Sequence, residues 1–186
     1  MSGYSKKMLF ITTVLFMFAA TLAAHPHVFV ETEVKVHFSG STLDGITVQW
    51  TFDEMFSNQV MMACDTNRNG RLEPDEVKKV EEGFFSNLKN HAYFTFIWHN
   101  DAQIRQFQIR DFNARAVAGN RVEYTFFIPL NIRISGRTTL KMAFLDDSNF
   151  VAYYAPASAI SVAGNPPGTV NPQNNRRAQF QVVVGG

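Results

Sequence analysis

The sequence predicts an α+β fold: an antiparallel β-sheet or sandwich that carries one inserted EF-hand-like helix–loop–helix. Apolar and polar residues alternate from His27 to Phe38, which is the period of a half-buried strand. After Asp53 the apolar residues recur at helical spacing, and the period of two returns at His91. The chain also contains 18 Phe, which favours a packed β core because aromatic side chains bury much area.

Residues 1–24 have the layout of a secretory signal peptide. A basic pair at residues 6–7 precedes an almost wholly apolar run at residues 8–20, and small residues follow. We expect cleavage after Ala23 or Ala24. The apolar run is shorter than the roughly 20 residues that cross a bilayer, so an uncleaved anchor is the weaker alternative. The mature chain, residues 25–186, is therefore expected to be periplasmic or secreted, with a single β-rich domain and no membrane span.

Charge and cysteine content narrow the class of protein. Cleavage would remove two lysines from a total of 17 Lys and Arg, against 16 Asp and Glu, so the mature chain is close to neutral. It lacks the basic stripe that a nucleic-acid-binding surface needs. Cys64 is the only cysteine, so no disulfide can form within the chain. Export without disulfides suits a periplasm, and we expect Cys64 to be buried at a helix end.

The strands are predicted in order along the chain. The first strand is expected to end in a turn at Ser39–Ser41. Apolar and polar residues alternate again from Ile46 to Phe52, so a second strand and a hairpin are predicted. Residues from about Gly164 to Asn175 are rich in Gly, Pro and Asn and are expected to form a loop. Further strands are predicted from His91 to Trp98, over Ile104–Phe112 and Val122–Leu130, from Leu140 to Phe144, and over Phe150–Tyr154 and Gln179–Val184.

The insertion is predicted at about residues 53–90. Apolar residues at helical spacing precede the segment Asp65–Glu76, and a second set follows Pro74. Two amphipathic helices are therefore expected to flank this segment, the second of them reaching Leu88.

The segment Asp65–Glu76 has the pattern of an EF-hand calcium loop. Calcium takes about six to eight oxygen ligands, which a twelve-residue loop offers at its positions 1, 3, 5, 7, 9 and 12. Gly70 stands at position 6, where the chain turns with a positive φ. Three carboxylates and two neutral amides predict a structural Ca²⁺ site of modest affinity, and the alternative is an Asn/Asp-rich turn. The six ligand positions hold Asp65, Asn67, Asn69, Arg71 (through its carbonyl), Glu73 and Glu76.

His25 and His27 are candidate transition-metal ligands at the predicted mature N-terminus. Neutral imidazoles bind Zn²⁺, Ni²⁺, Co²⁺ and Cu²⁺. If cleavage follows Ala24, the free amine and imidazole of His25 would suit copper. His91 or His99 could complete a site if the third strand lies alongside the first. The alternative is a polar strand start that is merely solvated.

The opening segment Ala24–Val30, the segment Gln49–Ser57 and the calcium-type loop resemble an uncharacterised bacterial family. Its members are periplasmic proteins described as ABC-type transport components. They are often encoded beside exporters of the nickel/cobalt type, and a zinc link has been proposed for some. The resemblance covers most of the mature chain. It implies a periplasmic location and an inner-membrane metal exporter as partner.

Three functions are compatible with these patterns. The first is a non-enzymatic, periplasmic calcium-binding accessory protein of transition-metal (Ni/Co/Zn) transport. The second is a secreted calcium-binding structural or adhesion module in which the histidines are incidental. The third is a copper-dependent oxidase that uses an N-terminal His25. No Ser/His/Asp constellation stands out in the sequence, and we predict no catalytic residue.

Overall fold

The computed structural model describes residues 26–185, so the predicted signal peptide and His25 lie outside it. Within this range the architecture is α+β, with eleven strands and few helices. The helices are α1 (Glu54–Cys64) and α2 (Pro74–Val80), followed by a π-helical turn (Glu81–Phe85) and a 3₁₀ segment (Ser86–Phe94). The strands are β1 (Val28–Ser39), β2 (Thr42–Phe52), β3 (Thr95–His99), β4 (Ala102–Ile104), β5 (Arg110–Val117), β6 (Arg121–Arg133), β7 (Thr138–Phe144), β8 (Val151–Tyr154), β9 (Ile160–Gly164), β10 (Val170–Asn175) and β11 (Gln179–Val184).

The first sheet is mixed rather than purely antiparallel. Its strands lie in the order β5-β6-β2-β1-β8, and β9 also pairs with β1. The hairpin β1–β2 and the pairs β2–β6 and β5–β6 are antiparallel, whereas β8 and β9 run parallel to β1 along successive parts of one edge. The prediction of antiparallel pairing is therefore wrong for β8, and β9 was not predicted as a strand at all. Side chains alternate with a period of two in parallel and in antiparallel sheets, so the alternation does not indicate strand direction.

The second sheet is antiparallel, with the strand order β10-β11-β7-β3-β4. It corrects two predictions. The expected loop from Gly164 to Asn175 contains β10, an edge strand that can hold Pro172 because one of its sides needs no ladder bond. The expected strand Ile104–Phe112 is two strands: β4 ends at Ile104 in the second sheet, and β5 begins at Arg110 in the first. The chain crosses between the sheets in the intervening residues.

Side chains of both sheets meet in one hydrophobic core. Val28 and Val30 on β1 are buried, while Phe29 on β1 and His27 just before it are exposed, as the alternation predicts. Trp50 on β2 has 0% of its surface exposed. Its ring centroid lies 4.9 Å from that of Phe126 on β6 and 6.0 Å from that of Phe144 on β7 of the second sheet. The indole of Trp50 therefore joins the two sheets.

The helical insertion begins as the sequence predicts. The Asp53 carboxylate caps α1 by accepting a hydrogen bond of 2.9 Å from the Phe56 N–H. The buried Ser57 hydroxyl accepts a 2.8 Å hydrogen bond from the Val122 N–H, which fixes α1 against β6. Pro74 occupies the first turn of α2, where its missing N–H is not needed.

The second helix departs from the prediction after Val80. The chain widens into the π-helical turn and then tightens into 3₁₀ turns, so no single amphipathic α-helix reaches Leu88. The strand expected from His91 begins only at Thr95, because the three consecutive residues before it have left-handed φ angles of 49–51°, which interrupt the extended backbone of a strand. No helix in residues 26–185 is both long enough and apolar enough to cross a membrane.

Candidate functional site

The candidate site is the loop between α1 and α2. The end of α1 is packed into the core through Val60 and Cys64, and α2 is packed through Val80. Cys64 is buried at the helix end, as predicted, and burial raises the pKa of its thiol above the ordinary value. Two helices anchored in the core therefore hold the ends of the loop.

The first half of the loop is shaped by side-chain oxygens that accept hydrogen bonds from its backbone. The Asp65 carboxylate accepts from the N–H groups of Asn69 (3.2 Å) and Gly70 (2.9 Å). The Asn67 Oδ1 accepts from the Asn69 N–H at 2.9 Å, and the Asn69 Oδ1 accepts from the Arg71 N–H at 2.8 Å. Gly70 has a φ of +78°, as expected for the turn position. The side chains at loop positions 1, 3 and 5 are thus all folded over the same turn.

The second half of the loop is organised around Glu76. Its side chain is only 1% exposed. Its Oε1 accepts hydrogen bonds of 2.8 Å from both the N–H and the hydroxyl of Thr66, and its Oε2 accepts one of 3.1 Å from the Glu73 N–H. Hydrogen bonding with Glu73 and then with Thr66 outweighs the opposing effect of burial and lowers the pKa of Glu76 to about 2. The carboxylate is therefore ionised at neutral pH.

Glu73 completes the network. Its carboxylate accepts hydrogen bonds from the Nδ2 atoms of Asn67 (3.1 Å) and Asn69 (2.5 Å). The predicted side-chain ligands are therefore brought into one hydrogen-bonded loop. Thr66, which holds the Glu76 carboxylate, was not predicted, and position 2 of the loop carries no sequence signal that would have identified it. Among residues 26–185, no group of three or more His, Cys, Asp or Glu side chains is placed so that it could hold a metal ion, and this includes Asp65, Glu73 and Glu76 of the loop.

The described histidines lie on different elements of the fold. His27 is exposed and lies against Phe150, with 5.2 Å between the ring centroids. The His37 Nε2 is 2.8 Å from the Thr47 hydroxyl, and burial lowers its pKa. His99 is on β3 in the second sheet, whereas β1 pairs with β2, β8 and β9. The third strand is thus not alongside the first, so strand pairing brings neither His99 nor His91, which lies in the 3₁₀ segment before β3, to His27 in the way that the sequence suggested.

Two curated relatives resemble this chain. An uncharacterised 15.5 kDa protein in the trpE 3′ region of Spirochaeta aurantia is 34% identical over 91 residues, which are 49% of this chain and 64% of that protein. An uncharacterised protein of Haemophilus influenzae is 25% identical over 140 residues, which are 74% of this chain and 66% of that protein. The chain thus spans slightly less than two thirds of the length of each relative. A family described as a protein of unknown function, DUF1007, matches residues 10–179, so the chain belongs to that family.

Proposed function

We propose that this chain is an exported, calcium-binding accessory protein of transition-metal transport that has no catalytic activity of its own. The observation that carries the proposal is the loop network, in which the oxygens of Asp65, Asn67 and Asn69 are held over one turn beside the buried, ionised Glu76. Within residues 26–185, no ion pair involves the buried Glu76 carboxylate, which is unusual for a buried charge, and a hard cation would balance it.

The donor set fits Ca²⁺ by its chemistry. Every predicted ligand offers oxygen, which calcium prefers. The ion would be held by Asp65, Asn67, Asn69, the Arg71 carbonyl, Glu73 and Glu76. When bound, it would offset the mutual repulsion of three carboxylates and brace α1 against α2. With two neutral amides in the set, we expect a Kd of about 10⁻⁴–10⁻³ M, as in extracellular calcium modules.

Calcium is expected to stabilise the wild-type protein and not the Glu76→Gln variant. At a Ca²⁺ concentration about 100 times Kd, the free energy of unfolding should rise by about 2.7 kcal/mol. For a domain of this size the melting temperature should then rise by roughly 5–10 °C. Thermal unfolding with and without Ca²⁺, together with calorimetric titration, measures both effects.

The matched control is Glu82→Gln, which removes an exposed carboxylate further along the same helical segment. This variant should respond to Ca²⁺ as the wild type does. Absence of binding heat in the wild type, or an equal response in Glu76→Gln, would show that the loop is only an Asn/Asp-rich turn.

The transport role of the proposal rests on the two histidines at the predicted mature N-terminus and on the family resemblance. His27 is exposed at the start of β1, so its imidazole is accessible to a metal ion. We propose that His25 and His27 bind Zn²⁺, Ni²⁺, Co²⁺ or Cu²⁺ in the periplasm and pass the ion to an inner-membrane metal exporter.

Replacement of both histidines, His25→Ala with His27→Ala, is expected to weaken transition-metal binding by at least about tenfold. Even groups that only support metal ligands typically contribute this much to affinity. Calorimetric titration of the mature protein with each of the four metals measures the change. The matched control is the double variant His37→Ala with His99→Ala, which also removes two histidines. It should bind transition metals as the wild type does.

Unchanged affinity in the His25/His27 variant would overturn the transport role and leave the calcium-binding structural or adhesion module. N-terminal sequencing of the same preparation identifies the first mature residue. The copper-oxidase alternative requires that residue to be His25.

A further inference from the structure

A cavity of about 690 Å³ lies beside the helical insertion. It is lined by α1, by the segment that follows α2, by the connection between β7 and β8, and by residues of both sheets. The segment after α2 contributes Gly83 and Phe84 from the π-helical turn and Leu88 beyond it. The volume falls within the range of about 300–1,000 Å³ that is typical of small-molecule sites, so a small organic molecule fits.

Five phenylalanine rings that line the cavity are within reach of a guest, because each keeps part of its surface exposed. Phe150 is the most exposed of them, at 53%. The rings of Phe56 and Phe84 meet edge to face, with 6.0 Å between their centroids. The face of an aromatic ring is electronegative and attracts a cation that lies within about 6 Å of the ring centroid. The five rings are those of Phe56, Phe84, Phe94, Phe96 and Phe150.

The charge of the lining has the sign that suits a cation. Its ionisable residues, tyrosines aside, are Asp146, Asp147 and His91, and neither Lys nor Arg is among the lining residues. Asp147 is exposed, and within residues 26–185 it makes no ion pair. A cation in the cavity would be attracted by the two carboxylates, and no Lys or Arg of the lining would repel it.

The turn that carries these carboxylates is held in place by Asp146. Its carboxylate accepts hydrogen bonds from the N–H and hydroxyl of Ser148 and from the N–H groups of Phe150 and Val151. Burial opposes ionisation, but these hydrogen bonds hold the pKa of Asp146 below its ordinary value. The turn therefore keeps a negative charge at neutral pH and fixes the backbone of Phe150, so an exposed ring and an acidic pair stand together at the cavity.

We propose that this cavity binds a small organic cation with a quaternary ammonium head, which lies against the exposed phenylalanine rings and near the Asp147 carboxylate. Recognition of such heads by aromatic rings needs no hydrogen-bond donor, and the methyl groups of the head suit an apolar lining. A bare metal ion is the less suitable cation, because within residues 26–185 no group of three or more His, Cys, Asp or Glu is placed to hold one. The proposal does not depend on the calcium loop or on the N-terminal histidines.

Choline and its uncharged isostere form a matched pair of probes. The isostere is the alcohol in which a tert-butyl group replaces the trimethylammonium head, so the two share a shape and differ in charge. Each is titrated into the isotope-labelled mature protein at about pH 8, where an ordinary imidazole is neutral, at constant ionic strength and with Ca²⁺ present throughout. The NMR shifts of the Gly83 and Asn87 N–H groups, which belong to lining residues, report the site and the affinity. We expect choline to bind about fivefold to thirtyfold more tightly than the alcohol, as contacts between a cation and partly or fully desolvated rings predict.

Two substitutions separate the contributions of charge and ring. Asp147→Asn removes only the charge and should weaken choline binding by about twofold to fivefold, the range for an exposed ion pair. Phe150→Leu keeps an apolar side chain without a ring face and should weaken choline by a similar factor. Neither should change the affinity for the alcohol, and the combined variant should lose most of the preference for choline. The matched controls are Asp111→Asn and Phe29→Leu, which alter an exposed Asp and an exposed Phe outside the lining and should bind as the wild type does.

Three results would overturn the proposal. One is the absence of saturable shifts at Gly83 and Asn87 when choline is added to the wild type. The second is equal affinity of the wild type for choline and for the alcohol. The third is a preference for choline that persists in full in the variant that combines Asp147→Asn with Phe150→Leu.

Discussion

Replacement of Trp50 by alanine is expected to lower the free energy of unfolding by about 3–5 kcal/mol, the range for removing a large aromatic side chain from a core. The indole is 0% exposed and packs edge to face against Phe126 and Phe144, which belong to different sheets. Phe85 and Tyr153 also pack against the same ring, so its removal leaves a cavity lined by aromatic side chains. The midpoint and slope of urea unfolding measure the change.

Trp98→Ala provides the comparison, since Trp98 is a tryptophan on a strand that keeps part of its surface exposed. It should lose markedly less stability than Trp50→Ala. If Trp50→Ala does not fold, Trp50→Phe tests the same point with a smaller loss. Equal losses at the two tryptophans would contradict the role of Trp50 as the residue that joins the sheets.

Gly164→Ala is expected to destabilise the protein by about 2–5 kcal/mol, because left-handed backbone strain and overpacking both oppose the new methyl group. Gly164 ends β9 with a φ of +87°. An added Cβ would overlap the carbonyl oxygen of Phe38, its partner on β1. The parallel edge pairing of β1 and β9 would have to separate there. Chemical unfolding gives the size of the effect.

Gly83→Ala is the matched control for this substitution. Its Cβ meets no atom within 4 Å and its backbone is helical, so alanine should raise stability by about 0.5–1 kcal/mol. If Gly164→Ala unfolds at the same denaturant concentration as the wild type, the prediction is contradicted. The separation of β9 from β1 would then cost no stability.

Some elements of this fold could be predicted from the sequence and others could not, for physical reasons. The β1–β2 hairpin was predictable because its alternation, turn and pairing are all local in sequence. The direction of β8 was not predictable, because β8 pairs with β1 from more than one hundred residues away in the chain. The strand β9 was missed, and its parallel pairing with β1 is equally distant in sequence. The edge strand β10 was missed because its composition is that of a loop, and only its pairing with β11 makes it a strand.

The candidate sites also differ in whether the sequence alone could identify them. The loop could be identified from sequence because its predicted ligands lie within twelve consecutive residues, and local hydrogen bonds gather their side chains. The histidines could not be grouped by sequence, because their separation depends on which sheet each strand joins. A cavity beside the helical insertion could not be predicted either, because its lining comes from elements that are distant in sequence: α1, β1, β2, β3, β6, β8, the segment after α2 and the β7–β8 connection.

The sequence by itself determined the α+β class, the inward face of β1 and the oxygen-rich loop Asp65–Glu76, because each depends on spacing within a short stretch of chain. Only the tertiary structure decided the parallel strands of the mixed first sheet and the place of His99 in the second sheet, away from the strands that pair with β1. Strand order and register bring distant residues together, and they are selected by the packing of the whole core, which no local pattern contains.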